Sequence, residues 1–261
     1  MTTDIHPTAI IDPAAQIAAD VEIGAYSMIG PHVEIGPGCQ IGPHTVIKGR
    51  TRIGANNRIF QFVSLGEIPQ DKKYNGEPTR LEIGDNNTIR EFCTMNCGTA
   101  QDAGVTRLGD NNWIMAYVHV AHDCQIGNNT IFANNAQLAG HVLIGDYAIL
   151  GGYTGVHQFC RVGAHVITGI GSHVLKDVPP FVTASGSPAK PYGINTEGLK
   201  RRGYSTEAIA GIKRAYRAIF RTGDTLEQAQ LALAGLVGAC PEIQPLIDFL
   251  AVPGRGIIRS K

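Results

Sequence analysis

The chain has 261 residues, 43% of them hydrophobic, with 22 Lys and Arg balanced by 22 Asp and Glu. That is enough apolar side chain to bury a core in one or two domains, and it excludes both a disordered chain and a nucleic-acid binder that works by bulk positive charge. The six cysteines form no CxxC pair, the N-terminal MTTDIHPTAI has no basic-then-apolar signal, and no apolar run approaches the roughly 18 residues a bilayer span needs. The expectation is a cytoplasmic protein with no membrane insertion.

From Ile5 to Leu65 every sixth residue is aliphatic: Ile5, Ile11, Ile17, Ile23, Ile29, Ile35, Ile41, Ile47, Ile53, Ile59, Leu65. A period of six fits neither a heptad nor a 3.6-residue helix. It fits one short strand and one tight turn per unit, which is a β-solenoid. Gly often follows the aliphatic residue, and Gly84-Asp85-Asn86-Asn87 and Gly109-Asp110-Asn111-Asn112 carry residues that tolerate positive φ in turns. Three hexads per coil would stack residue i on i+18 at about 4.8 Å, although the period alone fixes neither the number of sides nor the handedness.

Two stretches break the pattern. Between Leu65 and Ile83 the segment GEIPQDKKYNGEPTR replaces aliphatic hexads, and a projecting loop near 66–82 is favoured over a degenerate coil, although the hexad phase is kept. The second break, near 97–107, shifts the phase by one residue; the series then runs from Leu108 to Val162. Loops on a rigid scaffold are common sites of function.

Just beyond them lie His119-Val-Ala-His122-Asp123, Gly140-His141 and His157-Gln158. The 18-residue stack puts His122, Gly140 and Gln158 in one column. His122 can then act as a general base with Asp123 or another carboxylate orienting its ring, and the Gly140 amide can face an oxyanion. A single coil-face histidine is more often solvated or packed at an interface; the cluster favours a site. A metal held by His119, His122, His141 and His157 is the weaker alternative, since no familiar ligand spacing is present.

After Val174 the hexads fail at Asp177-Val178-Pro179-Pro180, and a Gly/Pro-rich bridge follows. Helices are expected from Ser205/Thr206 to about Gly223, from about Thr225 to Val237, and from about Glu242 to Leu250. The domain expectation is a prism over 1–189 and an α-helical domain over 190–261. The latter carries 11 Lys and Arg against 6 Asp and Glu, a surplus that suits acidic or phosphate-bearing partners but is also common on solvated helix faces.

The [Ile/Leu/Val]-Gly-x-x-x-x hexads resemble the hexapeptide-repeat acyltransferases, which implies a left-handed parallel β-helix, an exception to right-handed crossovers. More specifically, HVAHD, LAGHVLIGD, GVHQFCRVGAHV, the QDKKYNGEPTR loop and NTEGLKRRG resemble the UDP-N-acetylglucosamine 3-O-acyltransferases of lipid A synthesis, over almost the whole chain. The resemblance implies a mainly β fold with a small α-helical C-terminal domain, a homotrimer with sites between prisms, and no cofactor. The donor it implies is a (R)-3-hydroxyacyl chain on acyl carrier protein, and the acceptor is UDP-N-acetylglucosamine. It implies His122 as base, Asp123 as its partner and Gly140 as oxyanion donor. Asp71, Lys73, His119, His141, His157 and Gln158 become substrate contacts, and Asn195, Glu197 and Arg202 hold the nucleotide-sugar end.

Two departures from the family pattern stand out. Asn96-Cys97 replaces a His-Arg pair, which leaves open whether acceptor position 3 carries a hydroxyl or an amine. Ile170, in Gly169-Ile170-Gly171, replaces a glycine where the family measures acyl length, so a donor shorter than fourteen carbons is expected. Readings kept beside this one are another hexapeptide acyltransferase with a different acceptor or an acyl-CoA donor, a γ-carbonic-anhydrase-like metalloenzyme, and a non-catalytic solenoid.

Overall fold

The computed structural model describes residues 4–259. Strands, most of them two residues long, fall on three faces of a prism. The first face runs from Asp4–Ile5 to Lys190–Ile194 in eleven strands, the second from Ile10–Ile11 to His173–Val174 in nine, and the third from Gln16–Ile17 to Arg161–Val162 in eight. Pairing is parallel throughout except between Val182–Ser185 and Lys190–Ile194, the antiparallel pair that closes the first face. Ile23 pairs with Ile41 and Ile29 with Ile47, so each coil holds three hexads.

The aliphatic residue of each hexad is the second of its strand, or the last of Arg50–Ile53, Arg80–Ile83 and Val105–Leu108, and points inward. Ile23, Ile29, Ile35, Ile41, Ile47, Ile53, Ile59 and Leu65 are each at most 3% exposed. Truncating any of them to alanine would open a cavity at a cost of about 2–5 kcal/mol. Buried asparagine oxygens form a ladder along the same axis: the Asn57 amide oxygen accepts from Asn87 N–H at 2.9 Å, Asn87 from Asn112 N–H at 2.8 Å, and Asn112 from Thr130 N–H at 2.7 Å.

Register explains both interruptions. Ile59 pairs with Ile89 and Ile89 with Ile114, spacings of 30 and 25 against the usual 18. The first excess is two whole hexads, which preserves the phase; the second is a hexad plus one residue, which makes it slip. No strand forms between Glu67 and Arg80 or between Asn96 and Val105, so both stretches are insertions between coils.

The corners bring a surprise. Asn56, Asn86, Asn111 and Asn129 take positive φ at one corner, as turn chemistry leads one to expect, but at another the same conformation is taken by Tyr26, His44, Phe62, Phe92 and Tyr117, with φ between 55° and 64°. A left-handed residue with a side chain costs about 1–2 kcal/mol. Here the rings of successive coils stack at centroid distances of 4.8 to 5.2 Å, and stacking of roughly 0.5–1.5 kcal/mol per pair offsets much of it.

Beyond the prism, α1 (Thr196–Arg201) is capped by Asn195, α2 (Thr206–Phe220) by Ser205, and α3 (Leu226–Leu236) by a Thr225/Gln228 capping box; α4 spans Gln244–Ala251. At six residues, α1 is too short for periodicity to reveal. Ile212, Ala215, Tyr216 and Ile219 form the buried stripe of α2. The chain end is latched to the last coils: Arg161 donates to the buried Asp177 and to Val252 O, its guanidinium lies 4.4 Å from the Phe249 ring centre, and Asp177 N–H donates to Gly256 O.

Where helices meet prism, His165 is buried between the rings of Tyr147 and Phe181, with Tyr204 edge-on. Burial, helped by Arg202, pushes its imidazole down to about 4. The unfolded chain takes up that proton near pH 6.5, so this contribution is intact above 6.5 and is lost as pH falls toward 4, by up to about 3 kcal/mol. His165→Phe, which keeps a ring in the stack, should therefore lose less melting temperature than wild type between pH 7 and 4.5; parallel losses would refute this assignment.

Candidate active site

The corner joining the second face to the third is built by His119–Val120, a turn, and Gln125–Ile126. Val120 and Cys124 anchor the turn from inside, and Asp123 takes φ of 60° at its apex. The positive φ turns the carboxylate back toward the preceding coil. There it accepts from Thr99 N–H at 2.9 and 3.1 Å and from Thr99 Oγ1 at 2.6 Å, while Asp123 N–H donates to Thr106 Oγ1. Burial alone would raise this carboxyl, but the hydrogen bonds from His122 and Thr99 outweigh it and hold it below the usual carboxylate value.

His122 Nδ1 lies 2.9 Å from Asp123 Oδ2. A carboxylate only accepts, so Nδ1 carries the hydrogen and Nε2 is left with its lone pair. The ring leans across one coil onto Gly140: a β-carbon there would sit 2.5 Å from His122 Cε1 and 2.7 Å from Nε2. Gly140 is buried, and its N–H donates to no acceptor among the described residues. A base with a free nitrogen beside an unpaired amide is suited to deprotonating a hydroxyl and holding the oxyanion that results from its attack.

His122 opens on a cavity of about 840 Å³ whose lining also includes Asp71, Lys73, Asp102, His141 and Gln158. Asp71 also holds the turn of the first insertion, accepting from Lys73 N–H at 3.0 Å. Column arithmetic from the sequence thus brings His122, Gly140 and Gln158 together, and the first insertion adds the lysine.

Other expected site residues lie elsewhere. His119 sits on the second face with Nδ1 2.7 Å from Thr94 Oγ1; burial, with His122 adding to it, lowers its pKa. His157 is exposed, Nδ1 3.1 Å from Gln158 O, and does not line the cavity. Asn195 is committed to the fold: its amide oxygen caps α1 and its nitrogen donates to His165 O. Glu197 pairs with Lys200 in solvent, and Arg202 lies over the Tyr147 ring at 4.7 Å, at the corner between third and first faces. Ile170 projects at 78% exposure from the corner between first and second faces. Within one chain the expected site is therefore divided over three corners. Thr99, Thr106 and Asp102 could not be placed from the sequence, because the second insertion carries or abuts them where hexad arithmetic fails.

His122, Asp123 and His141 offer ligand atoms within 4.8 Å of one another, a spacing that would admit a divalent ion. The Asp123 oxygens, however, are already taken by Thr99 and His122, so the geometry favours an acid–imidazole pair.

The "Udp N-acetylglucosamine O-acyltransferase; Domain 2" family model matches residues 177–258, and the bacterial transferase hexapeptide (six repeats) model matches 2–37 and 106–140. The acyl-[acyl-carrier-protein]--UDP-N-acetylglucosamine O-acyltransferase of Thiobacillus denitrificans is 66% identical over 98% of this chain and 99% of its own. The chain belongs to this acyltransferase family. A solved family structure from Acinetobacter baumannii has a TM-score of 0.96 at 52% identity, covering 98% of this chain and 99% of that one. The UDP-N-acetylglucosamine acyltransferase of Arabidopsis has 0.79 at 34%, with 94% of each covered. The fold is accordingly the left-handed parallel β-helix of the family with a helical end.

Proposed function

We propose that this family member transfers a (R)-3-hydroxyacyl chain from acyl carrier protein to the 3-hydroxyl of UDP-N-acetylglucosamine, the step that opens lipid A synthesis. The observation that carries the chemistry is the His122 ring, which lines the cavity, is tied by Nδ1 to Asp123 and leans over Gly140, whose buried N–H is unpaired among the described residues. Nε2 takes the sugar hydroxyl proton as the oxygen attacks the thioester carbonyl; the Gly140 N–H receives the tetrahedral oxyanion; collapse expels the carrier thiolate, which regains the proton from His122. The thioester supplies the activated acyl group, so the reaction as written uses no cofactor. Lys73 in the cavity and Arg202 beyond it suit phosphate charge, as point charge and fork respectively.

The working form in this reading is a homotrimer. Its support is the division of the site over three corners of one prism: only a neighbouring copy can present a second corner to His122. Asn195 then acts by setting α1 in place for Glu197 and Arg202. The six cysteines are all free and buried, which suits a reducing cytoplasm, and no helix among the described residues is long and apolar enough to cross a membrane.

Assaying the purified protein with C10, C12 and C14 hydroxyacyl carrier proteins and UDP-N-acetylglucosamine tests both reaction and donor length. Turnover should favour a chain shorter than C14, because in the proposed trimer the exposed Ile170 side chain would block the far end of the acyl cleft, and Ile170→Gly should move the optimum to a longer chain. A C14 optimum in both proteins would remove Ile170 as ruler. Activity only with acyl-CoA or another acceptor would overturn the substrate assignment.

A further inference from the structure

Asp102, carried by the second insertion, places its Oδ2 2.7 Å from His141 Nδ1. Among the described residues the only other bond to its carboxylate is local, accepted by Oδ1 from Ala103 N–H at 2.8 Å. His141 stands at the corner one coil beyond Asp123, with φ of 62°. Its ring is stacked on Phe159 at 4.4 Å and meets the His122 ring edge-on at 5.0 Å. On this side of the ring is the cavity that holds His122; on the other is a second cavity of about 470 Å³ bounded by Arg161 and the chain end at Gly254 and Arg255. Asp102, His141 and Phe159 border both. The Asp102–His141 contact is thus part of the wall between them.

We infer that Asp102 is a positioning residue, fixing His141 with the hydrogen on Nδ1 and the ring held as the wall of the acceptor cavity. Stacking on Phe159 sets the plane of the ring but leaves the ring free to flip by 180° within it. The carboxylate removes that freedom, because it accepts only and therefore selects the protonated nitrogen. Nε2 is then directed inward, 3.9 Å from Asp123 Oδ2, beside the base. The seven-residue excess that breaks the hexad phase consequently orients both imidazoles: Thr99 holds Asp123, which holds His122, and Asp102 holds His141 directly.

The kinetic part of this inference rests on the acyl transfer proposed above; the tautomer does not. Asp102 is half exposed on its side chain, so Asp102→Ala should melt close to wild type. Its kcat/KM for the nucleotide-sugar should fall about 10- to 100-fold, the range for a hydrogen bond to a charged group, with most of the change in KM. Asp102→Asn retains an oxygen acceptor and should recover most of the loss. Ring ¹⁵N spectra of histidine-labelled protein, with His141 assigned by its absence in His141→Gln, should show Nδ1 protonated in wild type and mixed tautomers in Asp102→Ala. An unchanged tautomer in the alanine variant overturns the inference, whatever the activity. So does wild-type kcat/KM in that variant, or an asparagine variant as impaired as alanine. A wild-type protein with no turnover would instead defeat the proposed reaction, and the spectra would still decide the role of Asp102.

Discussion

His122→Ala should lower kcat about 10³-fold while the protein keeps its melting temperature within a few degrees. The size follows from the role: a positioned base contributes typically 10² to 10⁴ in rate, and a sugar hydroxyl is a weak nucleophile without one. Stability should survive, because the Asp123 carboxylate keeps its hydrogen bonds from Thr99 and the adjoining cavity can admit water where the ring stood. Binding of UDP-N-acetylglucosamine should change much less than kcat, since the ring acts on a proton and not on the diphosphate. A variant within threefold of wild-type kcat would remove His122 from the chemistry and return the cluster to the structural reading.

Gly140→Ala is the second large effect, and it comes from one methyl group. The added β-carbon would lie 2.5 Å from His122 Cε1 and 2.7 Å from Nε2, closer than real carbon contacts, so the ring must move. Its movement is limited by the 2.9 Å bond to Asp123, itself fixed by Thr99, and by the edge of His141 at 5.0 Å between centroids. Displacing a base by about 1 Å can cost 10²-fold in rate, and shielding the amide would add to that. We expect kcat to drop about 10²- to 10³-fold, with a crystal structure of the variant showing a rotated His122. Full activity would mean that neither the ring position nor the Gly140 amide matters to the reaction.

Much of this site was legible as arithmetic. With three hexads per coil a strict period makes i and i+18 neighbours wherever it holds, and it holds from Leu108 onward, so His122, Gly140 and Gln158 share a column. The helix cap at Ser205 was legible for a similar reason, since a cap acts on the next three residues. What escaped lay where the period stops. Thr99 and Asp102 belong to an insertion whose path no repeat dictates, and the aromatic corner column takes a conformation normally assigned to Gly, Asn or Asp because stacking between coils, invisible to local propensity, stabilises it.

By itself, then, the sequence determined a solenoid of hexads and its phase slip, because each follows from a local preference repeated at a constant interval; given three hexads per coil, which the strand pairing shows, it also put His122, Gly140 and Gln158 in one column. Only the tertiary structure decided that the His122 ring lies on Gly140, that Thr99 and Asp102 hold the two imidazoles, and that Arg202 and Ile170 stand at other corners. Those facts depend on which side chains meet across coils and around an insertion, and such meetings are set by packing in three dimensions rather than by spacing along the chain.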